Sequence, residues 1–108
     1  MKKLSTQLVT AAAILILFSS AAYAQDSGAT LFQSRCQMCH GADGKADTPT
    51  GKAFKVPNLH DPAVVKMSDA ELATVITKGK NKMPAFGTRL SSPQIDSVVA
   101  YIRTLQKQ

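Results

Sequence analysis

The sequence predicts an all-α fold, because helix-capping patterns and helical periodicity recur along it and strand-like alternation of useful length is missing. Residues 68–71, Ser-Asp-Ala-Glu, form a capping box, in which the hydroxyl and the carboxylate each satisfy a free backbone N–H group. Towards the C-terminus an apolar stripe repeats at helical spacing: Ile95, Val98, Val99, Ile102 and Leu105. These two observations mark two helices, and a third is expected before them.

The first predicted helix covers residues 27–36 and runs directly into a pair of cysteines. Ser27 can cap it, and Leu31 and Phe32 give it an apolar face. The last predicted helix carries the apolar stripe. Ser92 is its expected cap, and Pro93 suits its first turn because proline lacks an N–H group that would otherwise be unpaired.

The middle predicted helix follows the capping box. Met67 and Leu72 flank the box as a hydrophobic staple. Lys78 and Gly79 end the helix, with a charge that suits the helix dipole and a glycine that suits the C′ position. The apolar residues of this helix recur at helical spacing: Leu72, Val75 and Ile76.

Two loops separate these helices. Residues 41–63 contain three glycines and three prolines, and a loop this long in a small domain is usually functional or wrapped around a ligand. Residues 79–87 form a shorter loop, GKNKMPAFG, which carries Met83 between lysines and Phe86.

Residues 1–24 are predicted to be a cleavable signal peptide. Lys2 and Lys3 form a basic start, residues 8–18 are almost entirely apolar, and residues 22–24 supply the Ala-Tyr-Ala pattern that signal peptidase recognises. The apolar run is shorter than the roughly 20 residues of a membrane-spanning helix, so no stable membrane insertion is expected after cleavage. Residues 25–108 are therefore expected to form one exported domain in the periplasm.

The charge of the mature chain favours a protein partner over a nucleic acid. Cleavage lowers the basic residues from 13 to 11 against seven acids, which leaves a net charge of +4. Without an arginine-rich stripe interleaved with aromatics, nucleic-acid binding is not expected. A cationic face can instead dock an acidic protein surface.

The expected domain is also poor in large side chains. It has no tryptophan, and its aromatic residues are Phe32, Phe54, Phe86 and Tyr101. So small a core commonly needs a disulfide, a metal or a cofactor to complete it.

The motif CQMCH, residues 36–40, is the strongest functional signal in the sequence. A thioredoxin-type thiol pair would lie beside a strand–helix unit, which is not predicted here. A zinc site would need four ligands, and only His60 remains to add to this cluster. A disulfide between cysteines three apart closes too small a loop to stabilise the chain much.

Covalent attachment of one haem c explains all three residues of the motif. In Cys-x-x-Cys-His each thiol adds to one vinyl group of haem, so Cys36 and Cys39 are predicted to hold the ring by two thioether bonds. His40 is then placed beneath the ring, where its imidazole can bind iron. A haem would also complete the small core, so the chain without haem is expected to be largely unfolded.

Met83 is the predicted ligand on the opposite side of the iron. It lies in a short loop after a terminated helix, precedes Pro84, and is far from His40 in sequence. The other candidates suit this role less well. Met38 lies between the attachment cysteines, Met67 is expected to pack in the core, and His60 lies in the long loop, where exposure to solvent is expected.

Taken together, CQMCH after a helix with Gly28 and Phe32, then KNKMPAF, then SVVAYIRTL, resemble the class I c-type cytochromes in a compact bacterial single-haem form. The resemblance implies a cytochrome c fold, with three to four short helices wrapped around one covalently bound haem. It implies that Gly28 lets the first helix cross the last one closely. It also implies that a proline carbonyl, from Pro57 or Pro49, accepts a hydrogen bond from His40.

With both sides of the iron occupied, one-electron transfer is the expected function, and the protein is expected to be an electron carrier and not an enzyme. Its partners are expected to be redox proteins that dock at a rim of lysines, Lys78, Lys80 and Lys82. Lys52, Lys55 and Asn81 are candidates to hold the haem propionates. Two alternatives remain open: a haem protein with an open iron site, acting as a peroxidase or gas binder, and a thiol oxidoreductase.

Overall fold

The computed structural model describes residues 27–108, so the predicted signal peptide at residues 1–24 lies outside the described residues. The described part is helical, and its sole strand-like pairing is an isolated bridge between Lys80 and Met83. The predicted all-α class is confirmed. The helices, in chain order, are α1 (Gly28–Arg35), α2 (Gln37–His40), α3 (Pro49–Ala53), α4 (Pro62–Val65), α5 (Asp69–Lys78) and α6 (Ser92–Gln106).

α1 and α6 cross at close range, as the family resemblance implies. A Cβ atom on Gly28 would collide with the carbonyl oxygen of Ser97 and lie 3.2 Å from the Tyr101 Cβ atom, so only glycine permits this approach. At the crossing the Phe32 and Tyr101 ring centroids are 5.3 Å apart, and Phe32 and Val98 are almost fully buried. The crossing therefore involves the two helices that carry the most completely buried large side chains of the described residues.

α5 begins and ends where the sequence predicts. The Ser68 hydroxyl accepts from the Glu71 N–H at 3.1 Å, and the Glu71 carboxylate accepts from the Ser68 N–H at 2.8 Å. The helix ends at Lys78, and Gly79 follows with a φ of 73°, a conformation that suits glycine. Leu72 and Ile76 are buried in the core that α5 shares with α6.

The predicted cap of α6 is wrong by one residue. Ser91, not Ser92, is the N-cap, because its hydroxyl accepts from the Gln94 N–H and the Gln94 side chain accepts from the Ser91 N–H. This reciprocal pair satisfies two backbone groups, which Ser92 could not do one position later. Pro93 still lies in the first turn.

The long loop is predicted without helices, but it contains α3, and α4 begins at its end. The short helix α2 is a third helix that the sequence does not predict. Thr48 caps α3 and Asp61 caps α4, and each cap is followed at once by a proline, Pro49 or Pro62. A polar cap and a proline with a helical φ are enough to start one turn of helix, even in a glycine- and proline-rich segment.

Hydrogen bonds close the two ends of the long loop against each other. The Leu59 N–H donates to the Gly44 carbonyl at 2.8 Å, and Nε2 of His60 donates to the Asp43 carbonyl at 2.7 Å. His60 is half-buried because its ring bonds to the start of the loop. The expectation of a solvent-exposed histidine is therefore wrong.

One core cluster joins all the long helices. The buried apolar residues of the cluster are Leu31, Phe32, Leu59, Leu72, Ile76, Phe86, Leu90, Ile95, Val98, Val99, Ile102 and Leu105.

Among residues 27–108 no helix is long and apolar enough to cross a membrane.

Candidate haem site

A cavity of about 330 Å³ opens between α2, the long loop, α5 and the loop after α5. Its size falls within the roughly 300–1,000 Å³ range of ligand sites. All four predicted site residues line it: Cys36, Cys39, His40 and Met83. The fold therefore brings together two segments that lie 43 positions apart in sequence, at His40 and Met83.

The two cysteines lie at the start and near the end of a single helical turn. Cys36 ends α1 and begins α2, with a φ of −119° that breaks the helix between them. The N–H groups of Cys39 and His40 both donate to the Cys36 carbonyl, at 3.2 and 2.9 Å. This single turn presents both sulfurs and the imidazole to one cavity.

The thiols do not resemble a redox pair. Both cysteines are free. Burial raises the pKa of the Cys36 thiol to about 11, and Cys39 adds to this rise while Arg35 opposes it. A disulfide oxidoreductase needs a nucleophilic thiolate with a lowered pKa, so the raised pKa of Cys36 disfavours that alternative.

α3 and its cap Thr48 contact the backbone of α2. The Thr48 hydroxyl donates to the Met38 carbonyl at 2.7 Å and accepts from the Gly51 N–H at 2.9 Å, so it links the end of one short helix to the start of the next. The Ala46 N–H donates to the His40 carbonyl at 2.7 Å. A Cβ atom on Gly51 would collide with the Cys39 carbonyl, so glycine is required where the two helices meet.

His40 is half-buried beside the core. Its ring centroid lies 6.4 Å from that of Phe32, and burial lowers the pKa of the imidazole below its ordinary value, which favours the neutral form. The Nδ1 atom is buried and has no hydrogen-bond partner. The expected hydrogen bond to a proline carbonyl is therefore not formed here: Pro57 lines the same cavity, but neither its carbonyl nor that of Pro49 is bonded to Nδ1.

Backbone contacts with the end of α5 place Met83. Its N–H donates to the Lys80 carbonyl at 2.9 Å, and its carbonyl accepts from the Lys80 N–H at 3.2 Å. Further along, the Phe86 N–H donates to the Ile76 carbonyl at 2.9 Å. A Cβ atom on Gly79 would lie only 2.7 Å from the Met83 carbonyl oxygen, so this glycine lets the loop fold back closely.

The alternative iron ligands are arranged differently. Met38 is 76% exposed and does not line the cavity. His60 also lies outside the cavity lining and is held by Asp43. Met67 does line the cavity and packs against the core, so it is the second methionine of the site.

Cations surround the cavity. Among the described residues that line it none is acidic, whereas four are basic: Arg35, Lys55, Lys80 and Lys82. Of the propionate candidates, Lys55 and Asn81 line the cavity, whereas Lys52 does not and instead pairs with Asp47 at 3.0 Å. Sequence reasoning missed Arg35, although it directly precedes Cys36.

These residues fit a haem. The cavity walls are mainly apolar, the two thiols are free and adjacent, and the neutral, unpartnered imidazole can act as a metal ligand. Basic side chains at the edge complement the carboxylates that haem carries.

Comparison with known proteins agrees with this geometry. Residues 24–102 match the family described as "Cytochrome C oxidase, cbb3-type, subunit III". Cytochrome c6 of Nostoc sp. (strain PCC 7120) is 41% identical over 105 residues, which cover 94% of this chain and 92% of the relative.

Two solved structures are similar as well. The c-type cytochrome KustC0563 superposes with a TM-score of 0.68 at 25% identity, covering 75% of this chain and 99% of the other. Cytochrome c6C from Synechococcus sp. PCC 7002 gives a TM-score of 0.60 at 33% identity, covering 77% of this chain and 99% of the other. The chain therefore belongs to the class I c-type cytochromes, in their compact single-haem form.

Proposed function

We propose that this protein is an exported electron carrier, with one haem c attached at Cys36 and Cys39 and bound axially by His40 and Met83. Like its cytochrome c6 relatives, it is an electron carrier and not an enzyme. The observation that carries the ligand assignment is the shared cavity, because the attachment motif and the Met83 loop line it from two distant parts of the sequence.

Each of these residues has a distinct part. Haem c, when bound, supplies a one-electron Fe(III)/Fe(II) couple. Cys36 and Cys39 anchor the edge of the ring, and the break between α1 and α2 orients them. His40 contributes a neutral imidazole, which burial favours, and Met83 contributes a thioether sulfur, which raises the reduction potential.

Replacing the two cavity methionines one at a time tests the axial assignment. Met83→Ala is expected to abolish the weak red absorption band of a methionine-bound Fe(III) haem and to let the reduced protein bind carbon monoxide. Met67→Ala is the matched control, and it is expected to keep the band. If the band is lost in Met67→Ala and kept in Met83→Ala, the assignment is wrong.

We propose that redox partners dock at the lysine rim. Lys80 and Lys82 line the cavity, the Lys82 Nζ atom lies 5.9 Å from the centre of the Phe54 ring, and Lys78 ends α5 beside them. A cationic rim without acidic neighbours in the cavity lining suits an acidic partner surface.

The salt dependence of electron transfer tests the docking proposal. In Lys80→Gln/Lys82→Gln the association rate with an acidic redox partner is expected to fall about tenfold at low salt, because steering weakens. The double variant Lys45→Gln/Lys107→Gln, which changes exposed lysines outside the cavity lining, is the matched control. Equal losses in both variants would show that only net charge matters.

The periplasm is the proposed location, with residues 1–24 removed on export. N-terminal sequencing of the protein purified from its native cells is expected to begin at Gln25. A chain that still begins at Met1 would rule out cleavage.

A further inference from the structure

Arg103, on the last turns of α6, joins that helix to the α4–α5 connection. Its Nε atom donates to an Asp69 carboxylate oxygen at 2.9 Å, and its Nη1 atom donates to the Val65 carbonyl at 3.3 Å. Its Nη2 atom donates to the Met67 carbonyl. One guanidinium therefore binds three acceptors within residues 65–69, which lie 34 to 38 positions before Arg103 in the sequence.

Gln106, one helical turn further on, extends this network. Its side-chain oxygen accepts from Arg103 Nη1 at 2.9 Å, and its amide nitrogen donates to the Leu59 carbonyl at 2.8 Å. The planar guanidinium is thus held in one orientation from both sides. We call Arg103, Gln106 and the groups they bind the α6 clamp.

The segment that the clamp binds forms part of the cavity wall. Leu59, Val64 and Met67 all line the cavity. The clamp binds the carbonyls of Leu59 and Met67 directly, and Val64 directly precedes Val65, whose carbonyl it also binds. Neither Arg103 nor Gln106 lines the cavity itself. The clamp therefore touches the site only through the backbone of its wall.

We propose that Arg103 is a positioning residue for the haem site: it fixes the wall formed by residues 64–67, so that Val64 and Met67 exclude water from the bound group. This inference rests on the proposed function, because it assigns a wall of that same site. Burial is one of the levers by which a protein sets the reduction potential of a haem.

The carbonyl contacts carry this role more than the ion pair does. The Asp69 side chain is 76% exposed, and a solvent-exposed ion pair contributes little. The Arg103 side chain is only 24% exposed, and its bonds to the Met67 carbonyl and to Gln106 are partly buried. Lysine keeps the charge but lacks the planar fork that reaches several acceptors at once.

The experiment compares holoprotein with Arg103→Lys, Arg103→Gln and the control Arg89→Gln. Arg89 is exposed and lies over the Phe86 ring, so its replacement removes the same charge without touching the clamp. Three quantities are measured: the reduction potential, the rate of imidazole binding to the oxidised protein, and hydrogen exchange at the Val65 and Met67 amides.

The oxidised-to-reduced ratio at a fixed potential is expected to rise about threefold, in Arg103→Lys relative to the native protein and in Arg103→Gln relative to Arg89→Gln, because water reaches the haem more easily. Imidazole binding is expected to become faster, and the Val65 and Met67 amides, which are hydrogen-bonded in the native chain, to exchange faster. A shift in Arg103→Lys is decisive, because its charge is unchanged.

The proposal is overturned if Arg103→Lys keeps the native potential and imidazole rate, even when its stability falls. If Arg103→Gln yields no folded holoprotein, Arg103→Lys alone decides. Failure of the proposed function is a separate result: the native protein would then lack the spectrum of a histidine- and methionine-bound haem. Amide exchange at Val65 and Met67 would still report on the clamp.

Discussion

At the scale of single residues, the sequence predicts the CQMCH motif more securely than the second iron ligand, which lies far from it in the chain. Cys36, Cys39 and His40 lie within five consecutive residues, so their shared chemistry can be inferred without a structure. Met83 could be chosen over Met67 only by its loop context, and in the structure both line the same cavity. Spacing alone does not separate two methionines that the fold brings together.

Arg103 shows what the sequence does not reveal. Two of its four acceptors are backbone carbonyls more than 30 positions away, and a carbonyl carries no side-chain signal. An arginine on the polar side of an amphipathic helix usually indicates only a solvated face. Its role therefore becomes visible only when α4, α5 and α6 are seen in contact.

The cap of α6 gives a residue-scale prediction in which two neighbouring serines differ. Ser91→Ala is expected to lower the free energy of unfolding by about 1 kcal/mol, because it removes the acceptor for the Gln94 N–H. Ser92→Ala, the matched control one position on, is expected to change it by less than about 0.5 kcal/mol. Denaturant unfolding of the holoprotein measures both, and a larger loss for Ser92→Ala would contradict the observed cap.

At the scale of secondary-structure elements, the long helices follow from caps and periodicity, whereas the single-turn helices do not. α5 and α6 carry apolar residues at helical spacing, which a sequence pattern can register, whereas α1 is marked by its Ser27 cap and the pair Leu31 and Phe32. α3 and α4 have five and four residues, too few for a periodic stripe. Their signal is the pair Thr48-Pro49 or Asp61-Pro62, a cap followed by proline, which also occurs in turns.

The crossing of α1 and α6 gives the element-scale prediction. Gly28→Ala is expected to lower the free energy of unfolding by about 1–3 kcal/mol, because the added methyl group forces the two helices apart. Gln33→Ala, at an exposed position of the same helix, is the control and is expected to have little effect. Denaturant unfolding compares them, and equal stabilities would show that the crossing has room for a side chain.

At the scale of the whole molecule, the site is the place where all the elements meet. The cavity is lined from α2, the long loop, α5, the Met83 loop and Ile102 of α6, so a bound haem would contact nearly every part of the fold. This agrees with a sequence poor in large aromatic residues, in which a cofactor completes the core. The short helices and the loop closures hold the walls of that cavity.

A redox titration of the holoprotein, followed by its absorption spectrum, tests the central claim most directly. The oxidised protein is expected to show the weak red band of methionine-bound Fe(III). This band should disappear on reduction in a single one-electron step, with a slope of about 59 mV per tenfold change in the oxidised-to-reduced ratio. A fully oxidised protein without this band would contradict the account, because the iron would then lack its methionine ligand.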